Sequence, residues 1–313
     1  MQTEFKRRPE RPAGGIVIGT ALALLAVFLI VIALFFVLSS YTPSLLGKCV
    51  AVVDVNMPLS VDGVAPSLFD SGYPGSGELS QTISSLDSRD DVGAVVLVFN
   101  SPGGSVVATR EVYASVKNLT KPKVSYFRET AASGAYYVAS GTDYIISDPD
   151  AITGSIGVIA TFVNMAGLLE KVGVNVTEIK SGPHKDIGSE YRNMTPDEEA
   201  ILHGLISEVY SEFKGVVLEN RGSRLDKAVF DNITDGRILS GRQAYKVGLV
   251  DKLGARRDAI IKAAELANIS AERYADIRVC PVSASASGGG LFGMAGIFRG
   301  FDAKTDIPTL DYK

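Results

Sequence analysis

Through the middle of the chain, short β-branched runs alternate with stretches of helical period. Val50–Val55, Ala94–Phe99, Lys123–Phe127, Tyr144–Ser147, Ile156–Ala160 and Val174–Ile179 read as strands, and Val106–Lys117, Ala135–Ser140 and Met165–Val172 as helices. Strands and helices in alternation predict an α/β domain. A longer helix is expected to start at Thr195, because Thr195-Pro196-Asp197-Glu198 supplies an N-cap, a proline at the first helical position and a capping-box glutamate. Its apolar residues Ile201, Leu202, Leu205, Val209, Phe213 and Val216 recur on one stripe that should be buried, with His203 on the polar side.

The pattern changes at both ends. Ile16 to Leu38 carries no charge; as a helix it would cover roughly 35 Å against a hydrocarbon core of about 30 Å. It is too long for the apolar segment of a cleaved signal peptide, so residues 16–38 are expected to form a transmembrane helix. Lys6, Arg7, Arg8 and Arg11 precede the segment and Lys48 follows it, which places residues 1–15 in the cytoplasm and everything after Tyr41 outside. A folded domain is expected over residues 49–281. Residues 282–313 turn rich in Ser and Gly and read as a flexible tail with an apolar stretch at Leu291–Phe301.

Composition narrows the chemistry. The 313 residues carry a formal net charge of −4 and no long basic run, so nucleic acid is not an expected partner. No P-loop, GxGxxG or metal-ligand cluster is present, and neither a metal nor an organic cofactor is expected. The 2 cysteines, Cys49 and Cys280, sit near the two ends of the presumed domain and are either a disulfide or two buried thiols.

Three segments carry candidate chemistry. Ser101-Pro102-Gly103-Gly104-Ser105 leaves a strand and enters a helix, and its glycines would let backbone N–H groups approach a ligand. Thr130-Ala131-Ala132-Ser133-Gly134-Ala135 joins strand to helix through small residues. A serine there is presented at a helix N-terminus, where the Gly134 N–H can stabilise charge on an attacked carbonyl. Lys180-Ser181-Gly182-Pro183-His184-Lys185-Asp186 runs from a strand into a loop. A nucleophilic serine needs a base, and the chain holds 2 histidines, His184 and His203. A lysine serves only when neutral; from a reference pKa of about 10.4, a shift of two units corresponds to about 2.7 kcal/mol, within reach of desolvation.

The blocks SPGG, TAASGAYYVAS, TGSIGV and KSGPHKDIGS, in this order between about Val50 and Gly254, resemble the signal peptide peptidase A family of membrane-bound serine–lysine proteases. The resemblance implies a Clp/crotonase fold of repeated β-β-α units, with Gly241–Asp251 as its C-terminal part. It makes Ser133 the nucleophile, Lys185 the general base and Ser155 the serine that orients the lysine. Gly134 and a glycine of the SPGG turn, Gly103 favoured over Gly104, would form the oxyanion hole. It further implies a single-pass membrane protease, shared as a homo-oligomer whose dyad meets across a subunit boundary, and substrates that are residual signal peptides and other membrane-associated peptides. The alternatives are an inactive membrane scaffold, an acyl-CoA enzyme of the same fold, and a protease of the stomatin-associated type.

Overall fold

The structure is a computed structural model that describes residues 24–34, 47–67, 72–271 and 273–282. In chain order its elements are β1 (Cys49–Val55), α1 (Ser76–Ser85), β2 (Val92–Ser101), α2 (Val106–Asn118), β3 (Lys123–Ala132), α3 (Gly134–Ser140), β4 (Tyr144–Ser147), β5 (Ile152–Gly154), α4 (Ala166–Lys171), α5 (Pro196–Arg221), α6 (Lys227–Ile233), β6 (Ile238–Ser240), α7 (Gly241–Lys246), β7 (Lys252–Leu253), α8 (Arg256–Leu266) and β8 (Val279–Val282). This is a mixed α/β fold around a largely parallel sheet of order β6-β5-β3-β2-β1-β8, with β4 on β3 and β7 on β4. Of its pairings, β5 with β6 is antiparallel.

Side chains alternate across the sheet, and both faces are covered, as parallel sheets require. From β1, Cys49, Ala51, Val53 and Val55 join α1, α2 and α3 in one core. Val50 and Val52 face the other way, into a core closed by Ala259, Ile260, Ala263 and Ala264 of α8. Cys49 and Cys280 form a disulfide across 231 residues, with Cα atoms 6.0 Å apart, which ties the outer strand β8 to β1. The two-thiol alternative is set aside.

The long strand β3 does two jobs. Val124–Phe127 pairs with β4, while Thr130–Ala132 pairs with β5. Its last residues therefore leave the sheet beside β5, at the carboxyl ends of the parallel strands, where open α/β sheets place their ligand sites.

Two expected strands are absent. Ile156–Ala160 and Val174–Ile179 are loops, because β5 has already taken the edge of β3 and no described strand lies beside 174–179. Propensity alone does not hold a strand without a ladder partner. Ile179 is 99% exposed. Helix α5 starts as expected, with Thr195 Oγ1 accepting from the Glu198 N–H and Glu198 Oε2 accepting from the Thr195 N–H. The expected burial of its whole stripe does not hold: Phe213 is buried and Val216 half-buried, whereas Ile201 and Leu205 near its start are exposed, and the buried Val217 lies outside the expected stripe. His203 is exposed, as its polar face predicts.

Within the expected span 16–38, residues 24–34 are described; they are helical with exposed apolar side chains. Among the described residues no helix is long and apolar enough to cross a membrane. The expected cytoplasmic segment 1–15 and the tail from 283 onward lie outside the described residues.

Candidate active site

Ser133 occupies the elbow between β3 and α3. Its φ of 54° and ψ of −124° fall outside the regions that residues with a Cβ readily adopt. The turn is held on both sides: the Ser133 N–H donates to the Gly154 carbonyl at 2.9 Å, and the Ser133 carbonyl accepts from the Tyr137 N–H at 3.0 Å. Small neighbours are needed for packing, since a Cβ on Gly134 would sit 2.3 Å from Thr109 Oγ1.

Ser155 arrives by register. Ala132 pairs with Gly154, so Ser133 and Ser155 each stand one residue past a paired position on neighbouring strands. Ser155 also has a positive φ of 52°, and its N–H donates to the Arg237 carbonyl.

The SPGG turn closes the other wall. Leu59 bridges it on one side, its N–H donating to the Gly103 carbonyl and its carbonyl accepting from the Ser105 N–H, each at 2.8 Å. Backbone direction then alternates, and the Gly104 N–H points away from Leu59. A Cβ built on Gly134 would lie 3.3 Å from the Gly104 nitrogen, and among the described residues the N–H groups of Gly104 and Gly134 have no acceptor. The Gly103 N–H instead donates to Ser101 Oγ at 3.2 Å. Gly103 is held by conformation rather than by a ligand: its φ is +96° and a Cβ there would meet the Gly134 nitrogen at 2.6 Å.

Ser133, Gly134, Ser155 and Gly104 share the lining of a cavity of about 440 Å³. Val106, Val158, Val209 and Phe213 make its apolar wall. Farther out, Arg110 pairs with Glu212 at 3.0 Å, and the Tyr137 hydroxyl donates to Glu212 at 3.2 Å. Burial, reinforced by the Glu212 charge, raises the Tyr137 phenol above its ordinary pKa and keeps it a donor. The motifs pointed to neither this polar rim nor Thr109; they show only when α2, α3 and α5 are assembled around the elbow.

Lys185 is placed elsewhere. It is exposed, in a loop of successive turns, and does not line the cavity that holds Ser133 and Ser155. Within one chain the structure therefore brings Ser133, Ser155, Gly134 and the glycine turn together, and leaves Lys185 and His184 outside.

The sequence model of peptidase family S49 matches residues 115–270. A protease-named protein of Methanocaldococcus jannaschii is 43% identical over 190 residues, 60% of this chain and 60% of that protein. A protein named signal peptide peptidase SppA in Enterococcus faecium is 36% identical over 211 residues, 64% of this chain and 60% of that protein. The chloroplastic serine protease SPPA of Arabidopsis thaliana is 31% identical over 195 residues, 61% of this chain and 28% of that protein. The chain thus spans about 60% of the first of these relatives and less than a third of the last.

Proposed function

Residues 115–270 make this chain a member of peptidase family S49, and from that premise we propose that it is a membrane-anchored serine endopeptidase with Ser133 as nucleophile and Lys185 as general base. The observation that carries the reading is the Ser133 elbow: a serine in a strained turn, facing a cavity beside two unengaged backbone N–H groups. Backbone strain at a serine with no structural need for it supports a catalytic role.

In this reading a substrate peptide lies extended along the side of the SPGG turn that Leu59 leaves open. Neutral Lys185 takes the Ser133 proton as Oγ attacks the scissile carbonyl. The oxyanion settles on the N–H groups of Gly134 and of the glycine turn. Gly104 suits the second position better than Gly103, the residue first favoured, because the Gly103 N–H is already bound to Ser101. Lys185 then protonates the leaving amine and activates the water that releases the acyl group. Ser155, beside Ser133 at the cavity, would accept or donate to the lysine amine.

Lys185 lies outside its own chain's cavity, which fits a dyad completed by a second subunit in a homo-oligomer. Burial at such a boundary would supply the desolvation that a neutral lysine needs. Exposed apolar side chains on the same stretch of chain, Ile159, Val163, Leu168 and Ile179 among them, are consistent with cover by another copy. The uncharged segment 16–38 would hold the domain outside the cytoplasmic membrane. Substrates would be residual signal peptides and other membrane-associated peptides, as the name of the Enterococcus relative suggests, and the fold would be of the Clp/crotonase type. A fluorophosphonate probe should label the protein once, at Ser133, and abolish peptide hydrolysis; labelling elsewhere or continued hydrolysis would reject the assignment.

A further inference from the structure

Nothing in the mechanism above explains why the loop carrying Lys185 holds its place. Among the described residues its backbone from Gly182 to Ser189 makes only short-range turns, from the Lys185 N–H to Gly182, from Ile187 to His184 and from Ser189 to Asp186, and the next long-range backbone bond lies beyond them, where the Glu190 carbonyl accepts from the Met165 N–H at 2.7 Å. Such turns fix local shape but not the position of the loop on the protein. Next to Lys185 itself, position comes from the adjoining side chain. Asp186 Oδ2 accepts from Arg192 Nε at 2.7 Å and Oδ1 from Arg192 Nη2 at 2.8 Å, with Lys180 Nζ on the same carboxylate. The other edge of the Arg192 guanidinium turns to Glu198, with Nη1 donating to Oε2 at 2.8 Å and Nη2 to Oε1.

Glu198 is the capping-box residue of α5, and its carboxylate also accepts from the Thr195 N–H. One guanidinium therefore forks to two carboxylates, one adjoining Lys185 in sequence and one built into the start of a 26-residue helix. The two acids are shielded, with side chains 9% and 1% exposed for Asp186 and Glu198. Two-sided bidentate geometry of this kind is available to arginine and not to lysine.

We propose that Arg192 is a positioning residue for the general base: it locks the Lys185 loop to the N-terminus of α5, so that the lysine is presented in one place to the nucleophile it serves. The inference rests on the dyad reading above. Arg192 touches neither substrate nor the reacting atoms; it acts through Asp186. Proton transfer depends on atomic placement, and a displacement of about 1 Å can cost on the order of a hundredfold in rate.

The test compares wild type, Arg192→Gln, Arg192→Lys, Asp186→Asn and Lys185→Ala as full-length assembled protein. Sites are counted by end-point titration with a fluorophosphonate, and kcat and KM are measured on a fluorogenic peptide. Arg192→Gln should lower kcat per titrated site on the order of tenfold to a hundredfold with KM changed less than about threefold. Arg192→Lys, which keeps the charge but not the fork, should give an intermediate kcat. If Arg192→Gln fails to assemble, Asp186→Asn, the same shape without the charge, is read in the same way. Wild-type kcat per site in the first variant that assembles, or a loss confined to KM, overturns the proposal while the dyad stands if Lys185→Ala is inactive. An active Lys185→Ala overturns both.

Discussion

Ser133 and Ser155 stand side by side at the carboxyl ends of β3 and β5, each one residue beyond the paired Ala132 and Gly154, and each at a positive φ. Neighbouring strands run about 4.8 Å apart, so the register alone sets the two hydroxyl-bearing residues together at the mouth of the cavity. Neither position is generous to a residue with a Cβ. Two adjacent serines in that state make sense if the site uses one to attack and the other to handle the incoming base.

The clearance around the elbow gives the first prediction. Gly134→Ala would press a methyl group to within 2.3 Å of Thr109 Oγ1 and shift the N–H proposed to hold the oxyanion, lowering kcat on the order of a hundredfold. Because Thr109 is the obstacle, Thr109→Ala in the same chain should return part of that loss. Steady-state kinetics of the single and double variants check it; no rescue would mean that the methyl group disturbs something other than this contact.

A shared dyad predicts complementation. Ser133→Ala and Lys185→Ala should each be inactive alone, and co-expression should restore activity in mixed assemblies, where a sound serine meets a sound lysine from another copy. Activity measured on the co-purified mixture decides this, and a mixture as inactive as its parts places both residues of each dyad in one subunit.

Arg221 is fully buried and ion-paired with Asp251 at 2.7 Å, while also donating to the Gly248 carbonyl. It fastens the end of α5 to the segment after α7. Arg221→Ala leaves Asp251 shielded with one partner fewer, and breaking a buried pair in this way costs about 3–5 kcal/mol. Chemical denaturation should show that loss.

Acid sensitivity should have a recognisable contribution from Glu198. Arg192, and after it the Thr195 N–H, hold this carboxyl down at about 2. A lowered folded-state pKa means that the stabilisation is complete above the ordinary carboxylate value of about 4.3 and is lost as pH falls through about 2. Glu198→Gln should therefore flatten the fall of thermal stability across that interval and leave a lower plateau at neutral pH. An unchanged acid limb would contradict it.

The sequence made the centre of the fold legible and its periphery less so. β1, β2, β4 and the helices at Val106 and Thr195 carry strong local signals, period-two or uniform apolar runs and explicit caps, that tertiary structure did not override. The Ser133 elbow was readable because small residues follow a strand immediately. Ile156–Ala160 and Val174–Ile179 have the composition of strands, but composition does not state whether a partner strand will be alongside. The choice between Gly103 and Gly104 was equally hidden: it turns on which N–H Ser101 and Leu59 leave unengaged, a matter of three-dimensional placement. The Asp186–Arg192–Glu198 clamp is likewise illegible in the sequence, since charges six residues apart resemble any solvated stretch.

The central claim is the pairing of Ser133 with Lys185, and the measurement that tests it most directly is peptide hydrolysis against pH for the full-length assembled protein and its Ser133→Ala, Lys185→Ala and His184→Ala variants. The account predicts that the serine and lysine variants are inactive at every pH tested and that the histidine variant retains activity. An active Lys185→Ala, or an inactive His184→Ala, would contradict it.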